Sequence, residues 1–499
     1  MKFDSKLFFV LFLSFLHTVT TTANYRVNYR FTRQNNDYLY ACLSSSLPLS
    51  VRMIYPCRTP TNQNGHMYTC NPFDIRNLAS IRGSRISHSP AVIVYVTTSH
   101  DVQNVIKCAA KLDYVVNALS GGHSYEGYSL GSVPNNIIIN FEKMNNIHVN
   151  VHDKTAIIGP GARNGPSYYT LYQYDNYTIP AGSCAWVGIG GQALGGGYGL
   201  LARLHGLLSD HILEMKAVNA QGNALTINAT HEPELFWALR GGGGGSFVIV
   251  TEFKFRLVKS PPLVTEFTAT WDSNATKVVT KRYQLLMFNT TLSNFSNNIY
   301  LQMWITKTQI NIHIIHYGIE IEEFNRTVSL MLATLPSPNS TVISQRDWLS
   351  FVYSISGVAD TQPKHLYFNK TITDHSIDLL NRHLALGNGR IGLLFTPWDG
   401  YLSTIPIDET AFPHRHYKFS IQFMVNWDDI KEEQRQMDWL ERVYLSLYND
   451  STKHSYVNYI DRDVSNWMEV YFSSHKQRLS RIKQMYDKNN RFYFEKSIV

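Results

Sequence analysis

Short apolar runs and amphipathic stretches alternate through the first half of the chain. Residues 91–96 form an apolar run rich in β-branched side chains, which predicts a buried strand. A helix capped by Ser99 is predicted to follow, and a further strand is predicted over 136–141. This order of elements is typical of an α/β domain.

A different pattern, alternation of apolar and polar positions, begins after two prolines at 261–262. Over 417–425 the odd-numbered residues are aromatic or aliphatic, and the even-numbered ones are Lys, Ser, Gln and Met. Such alternation predicts half-buried antiparallel strands, so residues 261–450 are expected to form an α+β second domain. The tail is predicted to contain an amphipathic helix around 479–486 and an aromatic strand at 492–494.

Composition and charge narrow the class of protein. The chain has 499 residues, a length that predicts two to four domains. Of these residues 44% are hydrophobic and 17% are charged, so the chain is expected to be globular with large cores. The net charge of +7 is mild for this length, and no basic run is present. Nucleic acid is therefore not expected as a partner.

The N-terminal residues 1–23 are predicted to be a secretory signal peptide. Two lysines flank its start, an apolar run follows, and small residues precede Asn24. The run is too short to span a membrane, which needs about 20 residues, and no later segment is long enough either, so no membrane partner is expected. A buried N-terminal helix is the alternative.

Nine Asn-x-Ser/Thr sequons agree with secretion and predict a glycosylated extracellular protein. They begin at Asn176, Asn228, Asn274, Asn289, Asn294, Asn325, Asn339, Asn369 and Asn449. Five of them fall between 274 and 339, and this region is expected to be exposed.

Three glycine-rich segments stand out, at 120–127, 180–206 and 241–245. Residues 188–193 fit a dinucleotide fingerprint only if a hydrophobic strand precedes them and a helix follows, whereas more glycines flank them here. Loops that grip an elongated phosphate-bearing ligand through backbone N–H groups are the favoured interpretation. Three ordinary tight turns are the alternative.

Other chemistries lack their sequence motifs. The chain contains no Gly-x-x-x-x-Gly-Lys-Ser/Thr, no His-Glu-x-x-His and no Gly-x-Ser-x-Gly sequence. The His pairs at 313/316 and 414/416 are isolated, so no metal site is predicted. His123 and Cys184, in contrast, each lie in a glycine-rich loop, and Cys184 is the odd one of five cysteines. Both side chains are nucleophiles able to bond an electrophilic organic cofactor.

With these features the chain resembles the berberine-bridge-enzyme-like flavoproteins of the vanillyl-alcohol-oxidase superfamily. The motifs that carry the resemblance are SGGHSYEGYS (120–129), PAGSCAWVGIGGQALGGGYGLLARLHGLLSDHIL (180–213), LFWALRGGGGGSF (235–247), FPHR (412–415), YVNYID (456–461) and RLSRIKQMYD (478–487). The resemblance runs from about residue 42 to the C-terminus.

The resemblance implies an α+β fold with three parts after the leader. These are an FAD-binding domain at 24–260 with a PCMH-type core at about 87–260, a substrate-binding domain with an antiparallel sheet and helices at 261–450, and a segment at 451–499 that completes the FAD domain.

The resemblance also implies FAD held by two covalent bonds. By the motif match, His123 bonds the 8α-methyl group of the flavin and Cys184 bonds ring carbon 6. The remaining cofactor-binding residues implied are Ser120, Gly121, Gly122, Ser124, Val187, Gly188, Gly190, Gly191, Gly195, Gly196, Ile249 and Asn458. A disulfide between Cys42 and Cys108 is implied in the same way, and Cys57 with Cys70 is a hypothesis for the remaining two cysteines.

Four residues are expected to act on the substrate. The resemblance makes Tyr459 the base that deprotonates it, and places Gln422 at a substrate-facing position and Tyr125 and Tyr198 near the flavin. A phenol has an ordinary pKa of about 10, so a base of this kind needs a cation or hydrogen-bond donors beside it, and the sequence does not reveal them.

Some residues depart from the family pattern. Leu119 stands where arginine is usual, Gln192 where histidine is common, Val248 where glycine is usual, and Ser420 where some members have lysine. Ser420 weakens a lysine-assisted phenolate mechanism. Val187, in contrast, is a small residue of the kind that accompanies oxygen reactivity in the family.

The expected function is that of a secreted, monomeric, bicovalent FAD-dependent oxidase. Its substrate is expected to be a carbohydrate or another hydroxylated small molecule, with hydride transfer to flavin N5 and reoxidation by O2 giving H2O2. A dehydrogenase with a non-oxygen acceptor is one alternative. A flavin-loaded secreted binding protein with little turnover is the other.

Overall fold

A computed structural model describes residues 33–56, 78, 85–289, 295–356, 362–387, 390–427 and 429–499. The predicted signal peptide, Cys57, Cys70 and the sequon at Asn294 lie outside these residues. Every helix in the described part of the chain is too short or too polar to cross a membrane.

Eighteen strands occur in the described residues, numbered here in chain order. They are β1 (Arg52–Ile54), β2 (Val92–Tyr95), β3 (Val116–Leu119), β4 (Ile137–Asn140), β5 (Ile147–Asn150), β6 (Thr155–Ile158), β7 (Tyr177–Thr178), β8 (Ile212–Val218), β9 (Ala224–Asn228), β10 (Ile249–Arg256), β11 (Val258–Lys259), β12 (Val264–Asp272), β13 (Ile299–Thr306), β14 (Gln309–Tyr317), β15 (Ser340–Arg346), β16 (Gln362–Phe368), β17 (Arg390–Pro397) and β18 (Phe419–Asn426).

The α-helices of the same residues alternate with these strands. They are α1 (Arg33–Ser46), α2 (Ser99–Leu112), α3 (Asn164–Tyr172), α4 (Ile189–Leu194), α5 (Ala202–His205), α6 (Pro233–Ala238), α7 (Thr276–Phe288), α8 (Glu322–Leu332), α9 (Trp348–Ile355), α10 (Asp374–Leu386), α11 (Glu433–Tyr448), α12 (Trp467–Phe472) and α13 (Lys476–Tyr486).

Two larger sheets build the first part of the chain, and β7 pairs with β11 in a separate two-stranded sheet. One has the order β1-β2-β4-β3, in which β2, β4 and β3 are parallel. Its strands β2 and β4 are buried along their whole length, as expected where both faces of a parallel sheet are covered. The other is antiparallel, with the order β5-β6-β10-β8-β9.

The helix cap differs from the sequence prediction. Thr98, not Ser99, is the N-cap of α2, and its side chain accepts the backbone N–H of Asp101. The Asp101 carboxylate in turn accepts the backbone N–H of Thr98, which completes a capping box. Two reciprocal bonds favour Thr98 because Ser99 has no acidic partner three residues on.

One seven-stranded antiparallel sheet forms the second part, in the order β15-β12-β14-β13-β17-β18-β16. Helices α7, α10 and α11 pack against its first face, where Phe419, Ile421, Phe423 and Val425 are buried. The prediction that β18 is half-buried was wrong, because its even-numbered residues are buried too. That second face is turned towards the first part of the chain.

The C-terminal segment returns to the first part. Leu479 and Ile482 of α13 lie in its core, as the amphipathic pattern predicts. The predicted strand at 492–494 is not present, because side chains bind the backbone there. The N–H of Phe492 donates to Asp487 (2.8 Å), and its carbonyl oxygen accepts from Lys483 Nζ (2.9 Å).

Sequons lie mainly on the surface. Asn176, Asn274, Asn325, Asn339, Asn369 and Asn449 are exposed, while Asn228 and Asn289 are half-buried. Cys42 and Cys108 form a disulfide that joins α1 to α2.

Candidate active site

A cavity of about 360 Å³ lies where the glycine-rich segments meet β18 and the C-terminal segment. Its wall includes residues from 120–125, 182–192, 242–246 and 456–460. Of the residues that the sequence predicts for the site, those on the wall are Ser120, Gly121, Gly122, His123, Ser124, Tyr125, Cys184, Val187, Gly188, Gly190, Gly191, Tyr198, Ile249, Gln422, Asn458 and Tyr459. Segments that are distant in sequence therefore converge on one space.

The two nucleophiles meet at this wall. His123 lies in the loop after β3 and Cys184 in the loop before α4, and Cys184 Sγ is 3.6 Å from His123 Nε2. Gly121 and Gly188 bring the loops together, because a methyl group on either would overlap the backbone of the other. Glycine is required at both positions for this close approach.

Polar side chains fix the cysteine loop. Asn164 Nδ2 donates to the carbonyl oxygens of Gly182 and Cys184, at 3.1 Å each. Gln192 Oε1 accepts the N–H of Gly182 (2.6 Å), and Gln192 Nε2 donates to Asn164 Oδ1 (3.2 Å). Gln192, one of the departures from the family pattern, therefore has a defined role in holding this loop.

Residues 189–194 form the short helix α4, which the loop interpretation of this segment did not predict. The glycines that follow this segment, at 195–197, lie just beyond the end of the helix. No strand directly precedes α4 in the described chain, so the segment does not follow the dinucleotide fingerprint.

Burial raises the pKa of the Cys184 thiol. Hydrogen bonds from the backbone N–H groups of Trp186 and Val187 and the charge of Arg163 oppose this effect without overcoming it. The thiol form is therefore favoured at neutral pH as long as Cys184 is not otherwise bonded.

Tyr459 ends a 3₁₀ turn, Val457–Tyr459, and its ring lies on the cavity wall. The ring centroid is 6.1 Å from that of Tyr125 and 5.0 Å from that of Tyr456. Burial raises the pKa of Tyr459 well above its usual value, and the neighbouring hydroxyls of Tyr125, Tyr456 and Tyr300 raise it further.

Gln422 and Tyr125 form a pair across the cavity. Gln422 Nε2 donates to the Tyr125 hydroxyl oxygen at 3.0 Å. Burial raises the pKa of Tyr125 to about 12, so its hydroxyl stays protonated at physiological pH. Because the Tyr125 oxygen accepts from Gln422, this hydrogen bond does not use the proton of its own hydroxyl group.

Tyr198 lies on the cavity wall and also makes packing and hydrogen-bond contacts with the second part of the chain. Its ring stacks on Trp398 with centroids 4.1 Å apart, and its hydroxyl bonds the Pro397 carbonyl and the Tyr300 hydroxyl. The Tyr198 hydroxyl therefore links the first part of the chain to the second part.

Gly195 and Gly196 do not lie on the cavity wall. A methyl group on Gly195 would overlap the side chain of Asn458, whose Nδ2 donates to the carbonyl oxygen of Gln192 (3.1 Å). Gly196 has φ +120°, which an L side chain rarely adopts. Gly195 therefore makes room for the C-terminal segment, whereas Gly196 packs against Phe412 and Leu207.

Several wall residues were missed by the sequence analysis. Lys496 lies on the wall and donates to the carbonyl oxygen of Val464 (2.8 Å), and Ser246 lies beside the glycine run at 242–245. Lys483, though not on the wall, holds that run by donating to the carbonyl oxygen of Ser246 (2.7 Å). Lys483 and Lys496 belong to no distinctive motif in the sequence. Only the resemblance of the C-terminal segment to the family could have pointed to them.

The described residues fit an FAD molecule. Backbone N–H groups of glycine segments suit a pyrophosphate, and the apolar wall suits a flavin ring. Two nucleophiles side by side suit covalent attachment. Among the described residues, no group of three or more His, Cys, Asp or Glu side chains is arranged to hold a metal ion.

Comparison with known proteins gives the family. Residues 90–228 match the FAD binding domain family, and residues 455–499 match the berberine and berberine-like family. A monolignol oxidoreductase of Arabidopsis thaliana, AtBBE-like 13, is 30% identical over 442 residues, which are 80% of this chain and 81% of that protein. The chain belongs to the berberine bridge enzyme-like family. It is thus an FAD-linked oxidoreductase.

Solved structures of similar fold support the assignment of this berberine bridge enzyme-like protein. BBE-like 1 of Physcomitrella patens is 28% identical, covers 92% of this chain and 99% of its own, and has a TM-score of 0.82. A glucooligosaccharide oxidase of Acremonium strictum is 21% identical with a TM-score of 0.80 over 92% and 99% of the chains, and shows likeness of fold alone.

Proposed function

We propose that this protein is a secreted FAD-dependent oxidase that oxidises an alcohol group of a carbohydrate or another hydroxylated small molecule. The single observation that carries the proposal is the approach of Cys184 Sγ to within 3.6 Å of His123 Nε2 at the cavity wall. FAD, when bound, supplies a hydride acceptor at N5 and is reoxidised by O2 with release of H2O2.

His123 and Cys184 would hold the flavin by two covalent bonds. They lie on separate loops whose glycines touch, so both can reach one edge of a ring. The glucooligosaccharide oxidase of the same fold is described as carrying 6-S-cysteinyl, 8α-N1-histidyl FAD, which supports the same attachment here. Two bonds keep the cofactor in place while one face remains open to substrate.

Tyr459 and the side chains around it have different roles towards the substrate. Tyr459 accepts the proton of the substrate hydroxyl, which requires the phenolate form of its side chain. Tyr125 donates a hydrogen bond to the substrate, and Gln422 fixes the orientation of that donor. Buried aromatic rings, including Tyr198 and Tyr456, exclude water from this part of the wall.

The use of O2 is supported by Val187. This small side chain lies on the cavity wall three residues after Cys184. A small residue leaves room for O2, as the family resemblance implies. A dehydrogenase that reduces a dye and not O2 is the second candidate, and measuring O2 uptake against dye reduction separates the two.

Secretion and glycosylation have structural support. The Cys42–Cys108 disulfide suits an oxidising compartment, and six sequons are exposed. Expression in a secreting eukaryotic host should give medium-borne protein whose mass falls on treatment with an N-glycosidase. Retention of an unmodified protein in the cytosol would contradict secretion.

The decisive experiment follows the flavin. Purified protein should stay yellow after acid precipitation, and His123→Ala with Cys184→Ala together should release the colour. Either single variant should keep one bond and stay yellow. Colourless wild-type precipitate would refute covalent attachment.

The substrate class is tested by anaerobic mixing with oligosaccharides, simple sugars and aromatic allylic alcohols. Bleaching of the flavin by one of these classes identifies the substrate class. The classes are chosen because the similar proteins include a monolignol oxidoreductase and oligosaccharide oxidases, which are named for different alcohols. No bleaching by any alcohol would favour the binding-protein alternative.

A further inference from the structure

The surroundings of Tyr459 leave open how a phenolate forms there. The neighbours that influence its pKa are the hydroxyl groups of other tyrosines, and each of them opposes ionisation. Ser420, at the position where some family members carry lysine, instead accepts a hydrogen bond from the Trp398 indole N–H and bonds the Thr396 hydroxyl at 3.0 Å. A different donor is needed.

His365 lies directly beside Tyr459. It belongs to β16, where it is the register partner of Gln422 on β18. The ring centroids of His365 and Tyr459 are 5.1 Å apart, with the two planes inclined at 60°. His365 is 3% exposed, so it is a buried polar side chain next to the candidate base.

The tautomer of His365 is fixed by the turn that carries Tyr459. The backbone N–H of Tyr456 donates to His365 Nδ1 at 3.1 Å, and Ser455 Oγ lies 3.3 Å from the same nitrogen. Nδ1 is therefore an acceptor, and the proton of the neutral ring is on Nε2. Burial lowers the pKa of His365 to about 3, so the ring stays neutral at physiological pH.

The Nε2–H group of His365 has no hydrogen-bond acceptor within the described part of the chain. A buried donor without an acceptor costs free energy, and native proteins rarely retain one without a functional reason. The titratable groups around the ring are Tyr367, Tyr456, Tyr459 and His414, none of which is a cation at neutral pH.

We propose that His365 is the positioning residue for Tyr459, and that its Nε2–H donates a hydrogen bond to the phenolic oxygen as negative charge develops there. His365 keeps its proton throughout. Tyr459 alone takes up the substrate proton, so no proton is lost or gained at the imidazole. This inference rests on the proposed role of Tyr459 as the base.

Two substitutions separate the donor from the ring. His365→Phe keeps an aromatic ring and removes the donor, and His365→Gln places an amide N–H at a similar reach. His414→Phe is the matched control, because His414 is another buried histidine, 1% exposed, that contacts Tyr367 rather than Tyr459. All variants are made in the full-length, flavin-loaded protein.

The first readout is the rate of anaerobic flavin reduction by an alcohol substrate across pH. His365→Phe should lower the rate at neutral pH about 100-fold and move the rising limb of the profile, which follows ionisation of Tyr459, to higher pH, with the apparent substrate affinity nearly unchanged. His365→Gln should recover part of the loss, and His414→Phe should keep the wild-type profile. An unchanged limb in His365→Phe would overturn the proposal.

The second readout needs no substrate. Difluorotyrosine placed at position 459 ionises at lower pH than tyrosine, and its tyrosinate absorbance reports the ionisation directly. His365→Phe should shift this titration to higher pH, and His414→Phe should not. Equal titrations with and without His365 would overturn the proposal. This holds whether or not an alcohol reduces the flavin. Failure of every alcohol to reduce it would instead count against the proposed function.

The third readout is a double-substitution cycle. Because His365 acts through Tyr459, His365→Phe combined with Tyr459→Phe should be no slower than Tyr459→Phe alone. If the rate loss of the double variant equals the product of the two single losses, His365 acts on something other than Tyr459. That result would overturn its assignment as the positioning residue.

Discussion

The sulfur of Cys184 lies 3.6 Å from Nε2 of His123, although 61 residues separate them in the sequence. Neither residue sits in a regular element, so no strand pairing or helix contact brings them together. What does so is the contact between Gly121 and Gly188, one residue from each loop. The geometry of the nucleophile pair therefore depends on two absent side chains.

Alanine at either glycine should separate the nucleophiles. Gly121→Ala or Gly188→Ala introduces a methyl group into the backbone of the other loop, so the loops must move apart. We expect each variant to lose at least one covalent flavin bond, measured as the mass and visible spectrum of the flavin-bearing peptide after digestion.

Gly191→Ala is the matched control for folding. A methyl group at Gly191 meets no atom within 4 Å, and the residue lies in α4, where alanine is favoured over glycine. Because Gly191 lines the cavity, the comparison is made on flavin-free protein, in which its midpoint of thermal unfolding should equal or exceed that of the wild type. Intact double attachment in Gly121→Ala would show that the loops do not depend on this contact.

The raised pKa of Cys184 predicts how its thiol reacts before flavin attachment. Because burial favours the protonated form, the thiolate fraction is small at neutral pH and grows as pH rises. In protein from riboflavin-starved cells, alkylation of Cys184 by iodoacetamide should be slow at pH 7 and should accelerate at pH 9 and above. Peptide mass spectrometry measures the rate, with Cys184→Ser as the blank.

Arg163 offers a second check on the same thiol. Its charge lowers the pKa of Cys184, in opposition to burial. Arg163→Gln should therefore move the alkylation profile to still higher pH. Flavin-loaded protein should resist alkylation at every pH, because a thioether sulfur is not a nucleophilic thiolate. Rapid alkylation of the loaded protein would contradict attachment at Cys184.

Where a motif was local, its residues lie on the cavity wall. His123 and Cys184 each sit in a glycine-rich stretch whose composition already indicates close backbone approach, and both line the cavity. Gly195 and Gly196, which were also predicted to bind the cofactor, lie away from that wall. Gly195 makes room for Asn458 and Gly196 has a positive φ, and composition alone cannot distinguish such roles from ligand contact.

Residues brought in by long-range packing were not predictable. His365 lies on an ordinary-looking strand, and only its register with Gln422 and the turn at 457–459 give it a role. Alternation along β18 identified its two faces correctly but predicted exposure for one of them. A strand cannot reveal from its own sequence that another part of the chain covers its polar face.

Gln422 and Tyr125 are expected to act as one unit in substrate binding. The Tyr125 hydroxyl accepts from Gln422 Nε2 and keeps its proton for the ligand. Tyr125→Phe should raise KM for the alcohol substrate by about tenfold, as the loss of one hydrogen bond predicts. Because the pKa of Tyr125 is about 12, this effect should not vary between pH 6 and pH 9.

Gln422→Leu tests the coupling of that pair. It removes the amide that orients the phenol, so KM should rise, and the double variant with Tyr125→Phe should be little worse than Tyr125→Phe alone. Steady-state kinetics on each variant gives KM and kcat separately. Additive losses would show that Gln422 contacts the substrate independently of Tyr125.

The capping box of α2 predicts a pH-dependent contribution to stability. Burial alone would raise the pKa of Asp101, but hydrogen bonds from Thr97 and Thr98 hold it below its usual value. The folded state thus favours the ionised carboxylate. Its contribution is complete above the ordinary pKa of an aspartate and is lost as pH falls through the lowered folded-state value.

Asp101→Asn should therefore lower the free energy of unfolding by about 1 kcal/mol at pH 7. The difference from wild type should shrink as pH falls below about 4 and should nearly vanish in strong acid, where both proteins carry a neutral side chain. Denaturant unfolding at several pH values measures it, with the exposed Glu320→Gln as the control. If the difference in the free energy of unfolding stays constant from pH 7 to pH 3, the loss of stability comes from the geometry of the amide and not from the missing charge.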